Sequence, residues 1–380
     1  MAKRLYFVAG EASGDEHGAA LMRSLRELTP DLEFCGRGGP LMQQIAGGEF
    51  VNWSDAAAVV GLWEVVKRYG YFRQQFEATL REIAIVKSDA VVLIDYPGFN
   101  LRLARAVRKR SPQLKIIYYI SPQVWAWNRG RIRQMARFLD LMLCIFPFEA
   151  ELYNQSGLRT IFVGHPMIEN LAKRRTGEAR DPNLLGLFPG SRSREVNKIF
   201  PVMFGAATKL VEQRPEIRFE VAAASPALAV EIQRYLTSSS LGERIRLVAA
   251  DASGLMQRAF VGMVASGTAT LEAAYFRLPF VLVYKVSWPT YFAARLVMRT
   301  RYLGMPNVLA EREIVPEFLQ HEARPKAIAR SVLQLVNDSS AREQMISEFD
   351  AVIEKLGETG ASAKAAQAIL RELSGRGSHG

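Results

Sequence analysis

Short apolar runs alternate along this chain with longer stretches whose apolar positions recur at three- and four-residue spacing. The runs at 5–9, 90–94, 115–120, 141–145 and 160–163 predict strands in the first half. Those at 185–188, 218–223, 245–248, 261–265 and 280–284 predict strands in the second. Val91, Val92, Leu93 and Ile94 follow one another with no polar position between them. A strand reads that way when helices cover both faces of its sheet. Strand and helix patterns alternate throughout, so the fold class is α/β, with parallel sheets in doubly wound domains. From 325 onward the pattern is helical, and 361–373 reads as the last helix. The tail at 375–380 reads as a disordered end.

A length of 380 residues exceeds what one ordinary core serves and predicts two domains. The polar, basic, breaker-containing stretch 172–183 is the expected linker. It separates a domain at 1–171 from one at 184–345. Helices at 346–380 follow, packing on the first domain or exchanged with a second copy. Hydrophobic residues make up 49% of the chain and charged ones 23%, which excludes a disordered protein. No apolar run reaches the length of a spanning helix, and the chain enters its first strand with no signal peptide before it. Cys35 and Cys144 are far apart in apolar contexts and read as buried free thiols of a reducing compartment. The net charge of +11 admits an anionic membrane surface or a phosphorylated substrate as partner. It does not point to nucleic acid. The basic residues fall in short clusters, and no nucleic-acid-binding motif accompanies them.

Several segments at expected strand ends carry chemistry. Ser266-Gly267-Thr268 follows the run 260–265 and precedes an expected helix containing Glu272. Small residues at such a junction leave backbone N–H groups uncovered for a diphosphate, and the acid suits a sugar diol. Ser-Gly-Thr is also an ordinary helix cap. Gly190, Ser191 and Arg192 follow another strand and offer free backbone with a forked cation. Asp95 ends an all-apolar strand, where partial desolvation makes a carboxylate a competent proton acceptor. Asn100 is expected to cap the helix beyond it. Ser13, Gly14 and Asp15 lie in a turn after the first strand. That turn lacks the dinucleotide fingerprint, and the chain has no P-loop. Gln123, Trp125 and Arg129 belong to a segment with two indoles and a basic helix, suited to stacking a sugar and holding a phosphate. Asn307 tips a loop in an apolar setting, where it binds a phosphate or hydroxyl or starts a turn. The stretch 59–72 is apolar and aromatic, with Lys67, Arg68 and Arg73 at its flanks. Leu62, Trp63, Val65, Val66, Tyr69 and Phe72 read either as a membrane-inserting face or as a core helix.

Taken together, these segments resemble the lipid-A-disaccharide synthases. The likeness rests on Val8 through Asp15, Ile94-Asp95 with Phe99-Asn100-Leu101-Arg102, Ser121 through Trp127, and Val163-Gly164-His165-Pro166. It continues through Pro189-Gly190-Ser191-Arg192, Ala265 through Leu271 with Glu272, Val283-Tyr284-Lys285-Val286, and Pro306-Asn307. It spans about the whole chain in order. The resemblance implies a GT-B architecture, two Rossmann-like domains facing a central cleft. It implies an inverting hexosyltransferase that joins UDP-2,3-diacylglucosamine to 2,3-diacylglucosamine 1-phosphate (lipid X), releasing UDP and the β-1′,6-linked disaccharide 1-phosphate. Asp95 and Arg192 would be catalytic. Gly190, Ser191, Arg192, Ser266, Gly267, Thr268, Glu272, Tyr284 and Asn307 would hold the nucleotide sugar. Ser13, Gly14, Asp15, Asn100, Gln123, Trp125 and Arg129 would hold the acceptor. No metal or other cofactor is implied, and the chain has no Asp-x-Asp motif. A cytoplasmic protein attached to the inner face of the inner membrane is implied, as is a homodimer with exchanged C-terminal portions. Two positions depart from the family pattern: Gly98, where many relatives carry an acid, and Glu311, where relatives commonly carry glycine. Two other readings compete: another GT-B enzyme such as a UDP-N-acetylglucosamine epimerase, or a non-catalytic membrane-surface protein.

Overall fold

The computed structural model describes residues 3–48, 50–53, 69–126, 130–237, 241, 244–288, 291 and 300–375. The chain forms two units, Met1–Pro166 with Leu356–Gly380, and Met167–Lys355.

In the first unit the strands are β1 (Arg4–Ala9), β2 (Glu33–Gly38), β3 (Phe50–Asn52), β4 (Ala90–Ile94), β5 (Lys115–Tyr119), β6 (Leu141–Cys144) and β7 (Thr160–Phe162). They form one sheet in the order β3-β2-β1-β4-β5-β6-β7, parallel at every pairing. Ala9 lies opposite Ile94, and Ile94 opposite Tyr119, so these three strands end level. The sheet order reverses between β1 and β4, which opens a crevice at their C-terminal ends. β4 is buried at every residue, as its unbroken apolar run requires. β2 was not among the expected strands, because Glu33, Gly36 and Arg37 interrupt its apolar pattern. Its Gly36 has φ +127°, and a Cβ there would lie 2.0 Å from the Phe7 carbonyl oxygen. Close approach of β1 dictates that glycine.

In the second unit the strands are β8 (Asp181–Phe188), β9 (Arg218–Ala223), β10 (Ile245–Ala249), β11 (Ala259–Ala265), β12 (Phe280–Tyr284) and β13 (Glu317–Leu319). Their order is β10-β9-β8-β11-β12-β13, again all parallel, with the reversal between β8 and β11.

The chain passes between units at Pro166–Met167 and again at Lys355–Leu356, rather than within 172–183 and at 345–346. Part of the polar stretch is β8, which starts at Asp181 because its first residues are exposed and need no apolar side chains. The helix Ser339–Lys355 stays with the second unit, its Phe349 ring stacked 5.5 Å from Phe280. The helix Ala361–Leu373 belongs to the first unit. There Ala365, Ala366 and Ile369 share a core with Leu21, Met22 and Leu25. Burying a side chain such as Ile369 is worth roughly 1.5–3 kcal/mol. The buried Glu372 fastens the helix end, accepting from Lys115 Nζ at 2.8 Å and Arg159 Nη1 at 2.6 Å.

Cys35 and Cys144 are buried and are not joined in a disulfide. Among the described residues, no helix is long and apolar enough to cross a membrane. Leu62, Trp63, Val65 and Val66 lie outside the described residues. Tyr69 opens the helix Tyr69–Val86, and Phe72, on the same helix, is half-buried with its ring 5.8 Å from that of Tyr71.

Candidate active site

At the reversal point of the first unit, Asp95 is the residue after β4. It and Tyr96 both adopt left-handed backbone, φ +45° and +51°. Two such residues in succession hold strain of about 1–3 kcal/mol each, and surrounding contacts must keep them there. The Asp95 N–H donates to the Tyr119 carbonyl at 2.9 Å. Its own carbonyl accepts from Tyr118 Oη at 2.5 Å and Asn100 Nδ2 at 2.8 Å. These bonds pin the backbone of Asp95 at the strand end, where the residue is half-buried. Burial pushes its pKa up to about 6, the Glu11 carboxylate adds to the rise, and a Tyr96 N–H bond opposes it. Glu11 is exposed at the start of the helix Ala12–Leu28. The Tyr96 ring lies over Gly10, where a Cβ would sit 2.3 Å from a ring carbon. Trp53 completes this wall, donating to the Ala9 carbonyl at 2.6 Å and packing edgewise on Phe99 at 5.0 Å. The result is a half-buried carboxylate in an aromatic neighbourhood, with its proton affinity raised by desolvation.

Ser13 and Gln123 are exposed, and Gly14 packs against Ala9. Three other residues expected to meet an acceptor are committed elsewhere. Asp15 is buried, and its carboxylate accepts the N–H groups of Gly39 at 3.1 Å, Leu41 at 2.9 Å and Met42 at 2.9 Å. It caps the helix Pro40–Ala46, whose first N–H groups lack partners within the helix. Asn100 is wholly buried inside the helix Pro97–Arg110 and binds the carbonyls that end β1 and β4, rather than capping that helix. Trp125 is buried on Phe148, and its indole N–H donates to Glu149 at 2.8 Å. Glu149 also accepts from Ser121 Oγ at 2.5 Å, and burial raises its pKa to about 7. Arg129 lies outside the described residues. Gly98 is exposed with open space where a Cβ would stand. His17 and His165, on facing elements of this unit, are held neutral, with burial lowering both pKa values to about 4.

The second unit repeats the geometry with opposite charge. Gly190 follows β8 at φ +113°, where a Cβ would meet the Glu195 carboxylate at 2.9 Å. Ser191 and Arg192 are exposed, and Arg192 opens the long helix Ser193–Gln213. Among the described residues its guanidinium meets an acid only in a loose 3.5 Å contact with Glu195, which leaves it accessible to an anion. Just past the neighbouring strand β11, Ser266 is half-buried, Gly267 and Thr268 are exposed, and Gly267 has φ +141°. Tyr284 ends β12. Burial raises its hydroxyl pKa, with Glu195 adding to the rise and Arg192 opposing it, so these three groups are neighbours. Glu272 is half-buried on the helix Ala269–Tyr275; burial raises its pKa and Arg174 opposes. Asn307 does not face this surface. It is wholly buried, accepting from the N–H groups of Ile314 at 2.8 Å and Val315 at 2.9 Å. It donates to the Val315 carbonyl at 2.8 Å and Glu317 Oε1 at 2.9 Å. All its hydrogen-bonding capacity goes into closing its own loop.

Among the described residues, no group of three or more His, Cys, Asp or Glu is placed to hold a metal ion. Sequence reasoning assigned no role to Glu11 or Glu149. Glu11 stood in the quoted turn after β1, but its proximity to Asp95 depends on strand pairing. Glu149 gave no signal, because an acid in a helix first turn is ordinary.

The model of one protein family, described as Lipid-A-disaccharide synthetase, matches residues 5–371. The chain is 38% identical to a lipid-A-disaccharide synthase of Geobacter sulfurreducens and 37% identical to one of Myxococcus xanthus, covering 97% of each chain in both cases. Solved structures similar in fold include a UDP-GlcNAc 2-epimerase from Neisseria meningitidis bound to UDP-GlcNAc, with TM-score 0.58 and 12% identity, covering 99% of this chain and 100% of that one. MurG of Acinetobacter baumannii is another, with TM-score 0.56 and 13% identity, covering 98% and 100%. At such identities the likeness is one of fold, and the two parallel-sheet domains are of GT-B type.

Proposed function

The chain belongs to the lipid-A-disaccharide synthetase family, and we propose from that membership that Asp95 and Arg192 carry its reaction. The protein is a glycosyltransferase of lipid A biosynthesis that takes its sugar from a UDP donor and forms the lipid A disaccharide. We read the donor as UDP-2,3-diacylglucosamine and the acceptor as 2,3-diacylglucosamine 1-phosphate (lipid X). The observation that carries the mechanism is the pinned, apolar-flanked Asp95 carboxylate with its pKa raised to about 6.

Asp95 accepts the proton of the acceptor 6-hydroxyl as that oxygen attacks the anomeric carbon. The bond from that carbon to the diphosphate oxygen breaks, and UDP departs with the electron pair. Attack from the face opposite UDP inverts the anomeric centre. Arg192 and the uncovered backbone at Ser266–Gly267–Thr268 take up the charge that collects on the diphosphate, supported by Gly190 and Ser191. Glu272 accepts from the ribose diol, and Tyr284 flanks the diphosphate beside Arg192. No step calls for a metal, and activity is expected to survive EDTA.

Both substrates are acylated and must be met at a bilayer surface. The +11 charge and the apolar segment at 59–72 support a cytoplasmic protein held peripherally on the anionic inner face of the inner membrane. The helix Ala361–Leu373 is reached through Gly357 and Gly360, both in left-handed backbone. Such a joint supports exchange of the C-terminal portion in a homodimer. Incubation with the UDP-diacyl sugar and lipid X tests the reading. UDP and a disaccharide phosphate should appear together. UDP without disaccharide, or an epimerised donor, would refute it.

A further inference from the structure

We propose that the groove between the helices Pro97–Arg110 and Gly130–Met135 binds the phosphate monoester of the acylated acceptor. The groove has a volume of about 400 Å³ and reaches to Pro97 and Gly98, which follow Asp95 and Tyr96 in the chain. Arg102, Arg105 and Lys109 line it from one helix and Arg131 from the other. Spacings of three and four residues place the first three on one face of their helix. The opposite face, with Leu103, Ala104 and Val107, is buried in the unit. Leu101, Met135 and Phe138 give the groove an apolar floor.

The charge pattern points to an anion. No carboxylate lines the groove among the described residues. Elsewhere on the same helix, Arg108 is paired with Asp140 at 2.5 Å and Arg110 with Glu77 at 3.7 Å. Those cations outside the groove thus have acids, whereas among the described residues Arg102, Arg105 and Lys109 inside it have none. Arg105 is held by neutral partners instead, Gln134 Oε1 at 3.2 Å and the face of Phe138 at 5.5 Å. These orient the guanidinium without cancelling its charge. Cations stacked one turn apart repel one another, a cost that a bound anion relieves. A phosphate monoester carries nearly two charges at neutral pH, and its oxygens match the guanidinium fork. The apolar floor favours a phosphate joined to an acyl-bearing sugar over a free hydrated ion. The groove lies in the unit that holds Asp95, and its Pro97–Gly98 end follows Asp95 in the chain, which assigns it to the acceptor rather than to the UDP donor. The proposal rests on the reading of this chain as a transferase with a phosphorylated acceptor.

The test compares the full chain with two double variants, Arg102→Gln/Arg105→Gln and the charge-keeping Arg102→Lys/Arg105→Lys. Both sites are exposed, and equal melting temperatures verify folding. The Gln pair should raise the acceptor KM roughly tenfold or more, since exposed contacts to a charged group retain part of their full worth. The donor KM should stay at the parent value, and the Lys pair should recover part of the loss. With acceptor lacking the phosphate, parent and Gln pair should become alike. An acceptor KM equal in parent and Gln pair overturns the proposal. So does a Gln pair that loses only its binding to phosphatidylglycerol vesicles, which would make the groove a membrane head-group site. A parent that forms no disaccharide would sink the functional reading instead. Equilibrium binding of the phosphorylated acceptor to parent and Gln pair would then decide the groove independently.

Discussion

Replacing Asp95 by asparagine should make the protein inactive and more stable at once. The unperturbed carboxyl has pKa 3.8, and the folded environment raises it to about 6. A tenfold change in proton affinity is worth about 1.4 kcal/mol, so the ionised group costs the native state about 3 kcal/mol. The sign follows from proton binding. Between pH 3.8 and about 6 the native state holds this proton more tightly than the unfolded chain does, so stability falls as pH rises through that window. Above about 6 the full penalty is present; below 3.8 it is gone. Asparagine keeps the shape, tolerates the left-handed backbone and carries no charge. At pH 8 the variant should therefore be more stable by up to about 3 kcal/mol, an increase of roughly 6–12 °C in the melting of the unit that holds residue 95. At pH 4 parent and variant should nearly coincide. Thermal melts from pH 4 to 8, with turnover and UDP binding measured alongside, test both halves of the statement. A variant less stable than the parent at pH 8, or a difference independent of pH, would refute the desolvation argument. Near-normal turnover would remove Asp95 as the base even if the stability gain appeared.

Four further outcomes follow from the same structure. Glu11→Gln removes a negative charge that raises the Asp95 pKa, so the acid limb of kcat/KM should move to lower pH while the alkaline limb stays. Arg192→Ala and Glu272→Ala should each weaken UDP by about tenfold, one by losing diphosphate charge and the other a ribose contact; calorimetric affinities equal to the parent's would misplace the nucleotide site. Glu311 ends the helix Met305–Ala310 at φ +57°, a position that suits glycine. Glu311→Gly should raise stability by about 1 kcal/mol in denaturant titrations. Asn307→Ala strands one buried and one part-buried N–H group and should lower stability by about 1–3 kcal/mol, whereas an unchanged midpoint would return Asn307 to the surface.

The position of the candidate site was legible because doubly wound sheets place chemistry by a rule. Ligands meet the C-terminal ends of strands beside the order reversal, and a strand end is visible wherever an apolar run meets a polar residue. Asp95 after Ile94, Gly190 after Phe188 with Pro189 between, and Ser266 after Ala265 could all be placed that way. Asp15, Asn100, Trp125 and Asn307 have their polar atoms engaged within the fold, three of them with backbone and Trp125 with Glu149, which the sequence did not foretell. A polar side chain near a strand end serves a ligand or the backbone equally well, and its sequence neighbours do not say which. Asp15 turned inward because the helix Pro40–Ala46, brought beside it by the pairing of β1 with β2, presents bare N–H groups. Asn307 turned inward because its own loop needed closing.

By itself the sequence determined the α/β class, most of the strands, the last helix and the family. These depend on local periodicity and on motifs whose spacing survives in one dimension. Tertiary structure alone decided where the chain passes between units, that the helix Ala361–Leu373 rejoins the first core, and which polar groups are spent on backbone. It also decided that the Glu11 charge acts on Asp95 and that Arg102, Arg105 and Arg131 line one groove. Desolvation and Coulomb interaction depend on distance in space, and strand pairing sets that distance between residues far apart along the chain.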